Sequence, residues 1–209
     1  MGEMSDRWLY WAREIQALAQ TGLHYAQNPF EEARARRLLE IAAEIVNQHS
    51  ELDEPGALAA FQAQPGYVTP KVDVRAAVFH QDQLLFVQEA MDGGWTFPGG
   101  WADVGEAPAL AIEREVAEEA GLIVRAKRII GVYDANRIED ALTLFHAYKI
   151  LFMCEIESGE LSTSVETSKS GFFALDALPK PLSTHRTTTR HIEDAVAAYR
   201  EPERPVSFD

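Results

Sequence analysis

Cysteine is nearly absent from this chain: Cys154 is the only one among 209 residues. A lone thiol excludes an internal disulfide and any metal site built from cysteines. Its place in the apolar run YKILFMCEI marks it as a buried, structural thiol. Basic residues are scarce as well. Nineteen lysines and arginines stand against 33 aspartates and glutamates, a formal charge of -14, which is the wrong sign for holding nucleic acid on a broad surface. An anionic ligand would need local help from a metal or a few arginines. No apolar run reaches the roughly 18 residues of a membrane span, and the start MGEMSDRWLYW lacks the basic and apolar regions of a signal peptide. The expectation is a cytoplasmic protein without a membrane partner.

What is present suits one good core plus a small accessory unit. From Ser5 to about Gln20, the residues Trp8, Trp11, Ile15, Leu18 and Ala19 recur at spacings of three and four, with Ser5 or Asp6 as a cap and Gly22 as the stop. A second helix starts at Asn28-Pro29 and carries Phe30, Leu38, Ile41, Ala42, Ile45 and Val46 on one side. Such a hairpin buries too little surface to be stable alone, so it must pack on the rest of the chain or on a partner subunit. Asp53 to Tyr67 reads as a connector holding a short helix, which sets the expected domains at 1–66 and 67–209. Strands follow: VDVRAAVF, LLFVQ, LIVRAKRIIGVYD, LFHAYKILFMCEI and GFFAL, with helices over Ala107–Ala120 and Thr188–Arg200. Strands mixed with few helices indicate an α+β or α/β/α arrangement.

The stretch GWADVGEAPALAIEREVAEEAGL, Gly100 to Leu122, carries the chemistry. At about 100° per residue, Glu115, Glu118 and Glu119 fall on one face of a helix, beside an apolar row of Ile112, Val116 and Ala120. A solvated acidic face is the default reading. Yet like charges at these spacings cost a few tenths of a kcal/mol per pair, and Arg114, four residues before Glu118, cannot balance three acids. A hard divalent cation can. Pro98-Gly99-Gly100 supplies a turn able to approach a ligand and offer a carbonyl, and Gly121 ends the helix.

Gly100, Glu106 and the run Arg114 to Leu122 resemble a Nudix box at all of its fixed positions. The resemblance covers roughly Val68 to Arg200. It implies an α/β protein, a Nudix α/β/α sandwich with a mixed sheet preceded by an N-terminal α-helical hairpin. It further implies Mg²⁺ or Mn²⁺ as cofactor and hydrolysis of a nucleoside diphosphate linked to another group X. Glu115 and Glu119 become the first metal ligands, Glu118 and the Gly100 carbonyl the next, Glu106 a supporting acid and Arg114 a partner that orients the glutamates. Glu113 is expected at the surface. Glu118 or Glu166 is the candidate general base, with Glu166 read equally as an exposed loop acid. Glu89 is a candidate ligand or substrate contact, or else a surface acid at a strand end. Arg75, in an otherwise apolar strand, is a phosphate contact or a structural ion pair. Trp95 and Tyr133 are candidates for stacking on a base, with core packing as the default, and His146 is read as strand packing.

The N-terminal hairpin resembles the extension found ahead of a bacterial subgroup of Nudix enzymes acting on nucleoside diphosphates linked to X. TPKVDVRAAVF, WTFPGGWADVGE and VETSKSGFFALDALPKPLSTHR are similar to that subgroup too. The resemblance implies a homodimer through the N-terminal helices and a small nucleotide substrate. CDP-choline, giving CMP and phosphocholine, is placed first, and ADP-ribose, giving AMP and ribose 5-phosphate, second. A ligand-sensing regulator on the same fold would suit a degraded box; this box is complete.

Overall fold

Two helices form first along the chain, α1 (Arg7–Tyr25) and α2 (Pro29–His49), followed by the shorter α3 (Glu54–Gln62) in a computed structural model that describes residues 7–63, 66–137 and 144–209. Asn28 caps α2 by accepting the amides of Phe30 and Glu31 at 3.1 and 3.0 Å, with Pro29 in the first turn. Asp53 caps α3 through Gly56 N at 2.9 Å. The cap expected at Ser5 or Asp6 lies outside the described residues. Trp8 near the start of α1 stacks on His49 at the end of α2, so the pair runs antiparallel.

Two expectations for this hairpin are corrected. Gly22 does not end α1 but lies inside it, where a β-carbon would stand 3.4 Å from Ala35 Cβ; the small residue lets the helices approach closely. The buried stripe follows the expected one only in part, sharing Ala19, Ala42 and Val46, with Trp8, Ile15 and Ile45 packed against it. It runs through Leu9, Ala12, Gln16, Ala19 and Gln20 on α1 and Ala35, Leu39, Ala42, Ala43 and Val46 on α2. Trp11, Leu18, Phe30 and Leu38 are exposed instead. Alanine permits the tight contact, and Gln20 is satisfied in the interior by donating to the Phe61 carbonyl at 2.6 Å.

The second unit is a mixed seven-stranded sheet. Its strands are β1 (Lys71–His80), β2 (Gln83–Glu89), β3 (Trp95–Thr96), β4 (Leu122–Asp134), β5 (Ala147–Gly159), β6 (Thr167–Ala174) and β7 (Ser207–Phe208), in the order β3-β2-β1-β5-β4-β7 with β6 also on β2. β1 pairs parallel with β5 and antiparallel with β2, while β4 runs antiparallel to β5. Alternation along β1 divides the core. Val74, Ala76 and Val78 meet Ile112, Val116 and Ala120 of α4 (Pro108–Ala120). Ala77 and Leu151 meet Ile192, Ala195 and Ala198 of α5 (Thr189–Arg200) on the other face. Helix, sheet and helix thus make three layers. Gly121, at φ 74°, stops α4 as expected. Cys154 is buried under α4, and burial pushes its thiol up to about 12, so it is inert.

The strand read from Leu144 begins only at Ala147, because β1 starts at Lys71, opposite Ala147, and offers no backbone partner earlier. His146 therefore precedes the strand and is not strand packing. The compact units divide at Pro70 and Lys71, with the short stretch ending at His146 grouped with the helical one. Among the described residues no helix is long and apolar enough to cross a membrane.

Candidate active site

The loop from Pro98 to Ala102 runs along β1 as if it were another strand. Ala76 N–H donates to Pro98 O at 2.9 Å, Val74 N–H to Gly100 O at 2.8 Å, and Ala102 N–H to Val72 O at 3.0 Å. A β-carbon on Gly99 would lie 2.0 Å from Val74 O, and the residue sits at φ 140°, so nothing larger fits. This loop meets the acidic face of α4. Gly99 N–H donates to Glu119 Oε2 at 2.9 Å, and a β-carbon on Gly100 would stand 3.0 Å from Glu115 Oε1.

The four glutamates of α4 do different things. Glu115 and Glu119 are buried, at 8% and 5% exposure. Burial raises both carboxyl groups, Glu119 to about 7, against the opposing pull of Arg75 on Glu119 and chiefly Arg114 on Glu115. Glu118 is turned out to solvent and pairs with Arg114 at 3.0 Å. The three expected ligands accordingly form no ready-made metal cluster among the described residues. Glu113, expected at the surface, ties α4 to β4: it pairs with Arg125 at 3.2 Å and accepts Ala126 N–H at 3.0 Å. A helix wheel cannot reveal a partner 13 residues away.

Arg114 gathers the outer acids. It forks onto Glu106 at 3.2 and 3.1 Å and reaches Glu115 at 3.0 Å. Glu106 is held below the usual carboxylate range by that hydrogen bonding.

Behind the glutamates lies a buried ionic cluster on the α5 face. Arg75 forks onto Asp73 at 2.9 and 3.0 Å and donates to Phe97 O at 3.2 Å. At 4% exposure it is buried in an ion pair with Asp73. Burial alone would raise Asp73, but Arg75 and Lys149 outweigh it and hold the acid low. Lys149 stands opposite Asp73 in the β1–β5 register, fully enclosed, and burial lowers it to about 8. Its ammonium donates to the carbonyls of Arg186 and, at 3.4 Å, His185.

The remaining candidates divide. Glu89 is buried at the end of β2, raised by burial, and pairs with Arg186 at 3.1 Å; its charge also acts on Glu119. Glu166 is exposed beside it: Ala90 N–H donates to Glu166 O at 2.8 Å, and Thr167 Oγ1 donates to Glu119 O at 2.8 Å. Trp95 and Tyr133 do not present free rings for stacking. Trp95 packs edge-on against Phe173 in the core, and Tyr133 is 2% exposed, donating to Asp194 at 2.9 Å. Arg186, Asp92, Asp73 and Lys149 went unnamed in the sequence. The one legible signal was a lysine inside AYKILFM, matching the arginine inside VDVRAAVF.

The donor set suits a hard divalent cation. Two carboxyl groups, Glu115 and Glu119, are raised by burial at a spot where a cation would supply the missing charge, and Gly100 leaves room beside Glu115 that a β-carbon would fill. The Gly100 carbonyl accepts Val74 N–H and retains a second lone pair.

The chain matches a family model described as a UDP-X-like N-terminal oligomerisation domain over residues 6–61, and a second described as a NUDIX domain over residues 69–195. A putative ADP-ribose pyrophosphatase of Bacillus subtilis is 34% identical over 209 residues, 100% of both chains. Two solved structures are similar. An ADP-ribose pyrophosphatase from Streptococcus suis matches at 38% identity and TM-score 0.61, over 68% of this chain and 100% of that one. A UDP-X diphosphatase matches at 29% identity and TM-score 0.63, over 98% of this chain and 99% of that one.

Proposed function

Because the chain belongs to the Nudix family and is a pyrophosphatase, we propose that its substrate is a nucleoside diphosphate linked to a further group X. ADP-ribose, split to AMP and ribose 5-phosphate, is the leading candidate, since similar proteins over the whole chain and over 68% of it are named for it. CDP-choline, first on resemblance alone, takes second place because neither those proteins nor the full-length structural neighbour is named for it. The observation that carries the reading is the pair of buried carboxyl groups, Glu115 and Glu119, against the Gly99–Gly100 backbone.

Glu115, Glu119 and the Gly100 carbonyl are the groups to hold the metal, and Arg114 fixes Glu115 by its 3.0 Å bond. The chemistry that Mg²⁺ or Mn²⁺ would supply there is neutralisation of diphosphate charge and a lowered pKa for a nearby water. Glu166, exposed on the loop before β6, and Glu118, exposed on α4 beside Arg114, are the two candidates to accept the water's proton. The panel that tests this is ADP-ribose, CDP-choline and a UDP-sugar, each with Mg²⁺ or Mn²⁺, the products being separated by chromatography. Turnover of ADP-ribose to AMP is expected, abolished by chelator. Failure to cleave any of the three sinks the reading.

The assembly proposed is a homodimer through the helical unit. Trp11 and Leu18, seven residues apart on one face of α1, are 50% and 65% exposed. Sedimentation should report a dimer for the full chain and a monomer once both residues are changed to glutamate; an unchanged mass rejects this face.

A further inference from the structure

Arg186 occupies a turn, Ser183 to Thr187, that is built with unusual care for a surface feature. Trp95 N–H donates to Pro181 O at 2.8 Å and Ser183 N–H to Trp95 O at 2.9 Å. Thr187 Oγ1 accepts Phe97 N–H at 3.0 Å and pairs with Thr96 Oγ1 at 2.9 Å. Lys149, itself buried, donates upward into the carbonyls of His185 and Arg186. An ammonium taken out of water is costly; beside Asp73, its bonds here also hold the backbone from which the Arg186 guanidinium projects.

That guanidinium borders the acids of the candidate site. Its Nε lies 3.1 Å from Glu89 Oε1, and the Glu89 charge acts on Glu119. Its Nη1 lies 3.1 Å from both Asp92 Oδ2 and Ser183 Oγ and 2.6 Å from His185 Nε2, and its side chain keeps 21% of its surface in solvent. The other cations around these acids stand differently among the described residues. Arg75 is buried on Asp73, Arg114 is spread over Glu106, Glu115 and Glu118, and Lys149 is under the turn. Asp92, by contrast, does not depend on Arg186: it also accepts Gly94 N–H and the Ser183 hydroxyl, each at 2.8 Å.

We propose that Arg186 is a substrate-binding residue, which exchanges its Nη1 contacts with Asp92, Ser183 and His185 for a non-bridging oxygen of the substrate's diphosphate while Glu89 holds its Nε edge. Lys149 is its positioning residue. The inference rests on the diphosphate-hydrolase reading above. An arginine fork matches phosphate oxygens in a geometry that a lysine cannot reproduce.

The test uses the full chain, Mg²⁺ and ADP-ribose. Arg186→Ala should raise KM about tenfold or more with a smaller fall in kcat, and raise the inhibition constant of inorganic pyrophosphate to a similar degree. Arg186→Lys should recover only part of the loss. Lys149→Met should shift KM in the same direction, and the double variant should be no worse than Arg186→Ala, since the two act as one unit. If Lys149→Met does not fold, the two Arg186 variants decide alone. A KM within twofold of wild type, or a loss confined to kcat, overturns the proposal. If the wild type cleaves no nucleoside diphosphate, the functional reading fails separately. Calorimetry with pyrophosphate and Mg²⁺ then judges Arg186, tenfold weaker binding by Arg186→Ala supporting it and equal binding overturning it.

Discussion

Two arginines act on Glu115, and they belong to clusters of different make. Arg114 draws its partners from its own neighbourhood, Glu106, Glu115 and Glu118, and keeps 30% of its side chain in solvent. Arg75 is enclosed, forked onto Asp73, with Lys149 of β5 alongside. The charges are alike, but the surroundings are not. Partly solvated pairs are weak and exchange readily, so the helix cluster can release its carboxylates to an incoming cation. A buried pair tolerates no loss of a partner, so the strand cluster acts as the fixed floor on which the site stands.

The largest effect should come where the clusters meet. Glu119→Gln keeps an acceptor for Gly99 N–H but removes the negative charge. Its kcat should fall about a hundredfold or more, in line with the several kcal/mol a positioned metal contributes, while thermal melting shows an intact fold. A variant of wild-type activity would break the assignment of Glu119 to the metal.

Next comes Asp73→Asn, which strands Arg75 in the interior. It should cost about 3–5 kcal/mol in chemical denaturation. A negligible loss would mean that the buried cluster is no floor at all.

His191 offers a pH readout of the same interior. It packs on Tyr133, accepts Thr188 N–H, and is set among Lys149, Asp73, Arg75 and Arg190; burial lowers it from 6.5 to about 3. A group depressed on folding stabilises the native state fully above its unfolded value, and that stability drains away as pH falls from about 6.5 towards about 3. Wild type should therefore lose about 1.4 kcal/mol per pH unit more steeply than His191→Gln across this window, because glutamine keeps the cap and takes no proton. Parallel curves would place the ring in water.

The smallest effect is expected from Glu106→Gln on the outer cluster, which should move the denaturation midpoint far less than Asp73→Asn does. A comparable shift would erase the contrast between the clusters.

Much of the fold could be read before the structure, because alternation in VDVRAAVF and the Ile112–Val116–Ala120 row are local patterns of burial. The helical unit was read less well. Its expected stripe is split: Trp8, Ile15, Ala19, Ala42, Ile45 and Val46 pack in or against the core, while Trp11, Leu18, Phe30 and Leu38 are exposed and further alanines and two glutamines fill the close contact between the helices. Glu113 shows the same limit, for its partners Arg125 and Ala126 come from a strand that the helix pattern does not contain.

The sequence by itself determined the family, the order of the main elements and the crowding of Glu115, Glu118 and Glu119 on one face of a helix, because helical spacing converts directly into position. Only the tertiary structure decided which of those acids are buried, that Trp95 and Tyr133 are packed inside, and that Arg186 comes to rest against Glu89, 97 residues earlier in the chain by their numbering. Burial and long-range pairing depend on which segments the sheet brings together, and that information is spread over β1, β2, β5 and the turn before α5 rather than written in any one of them.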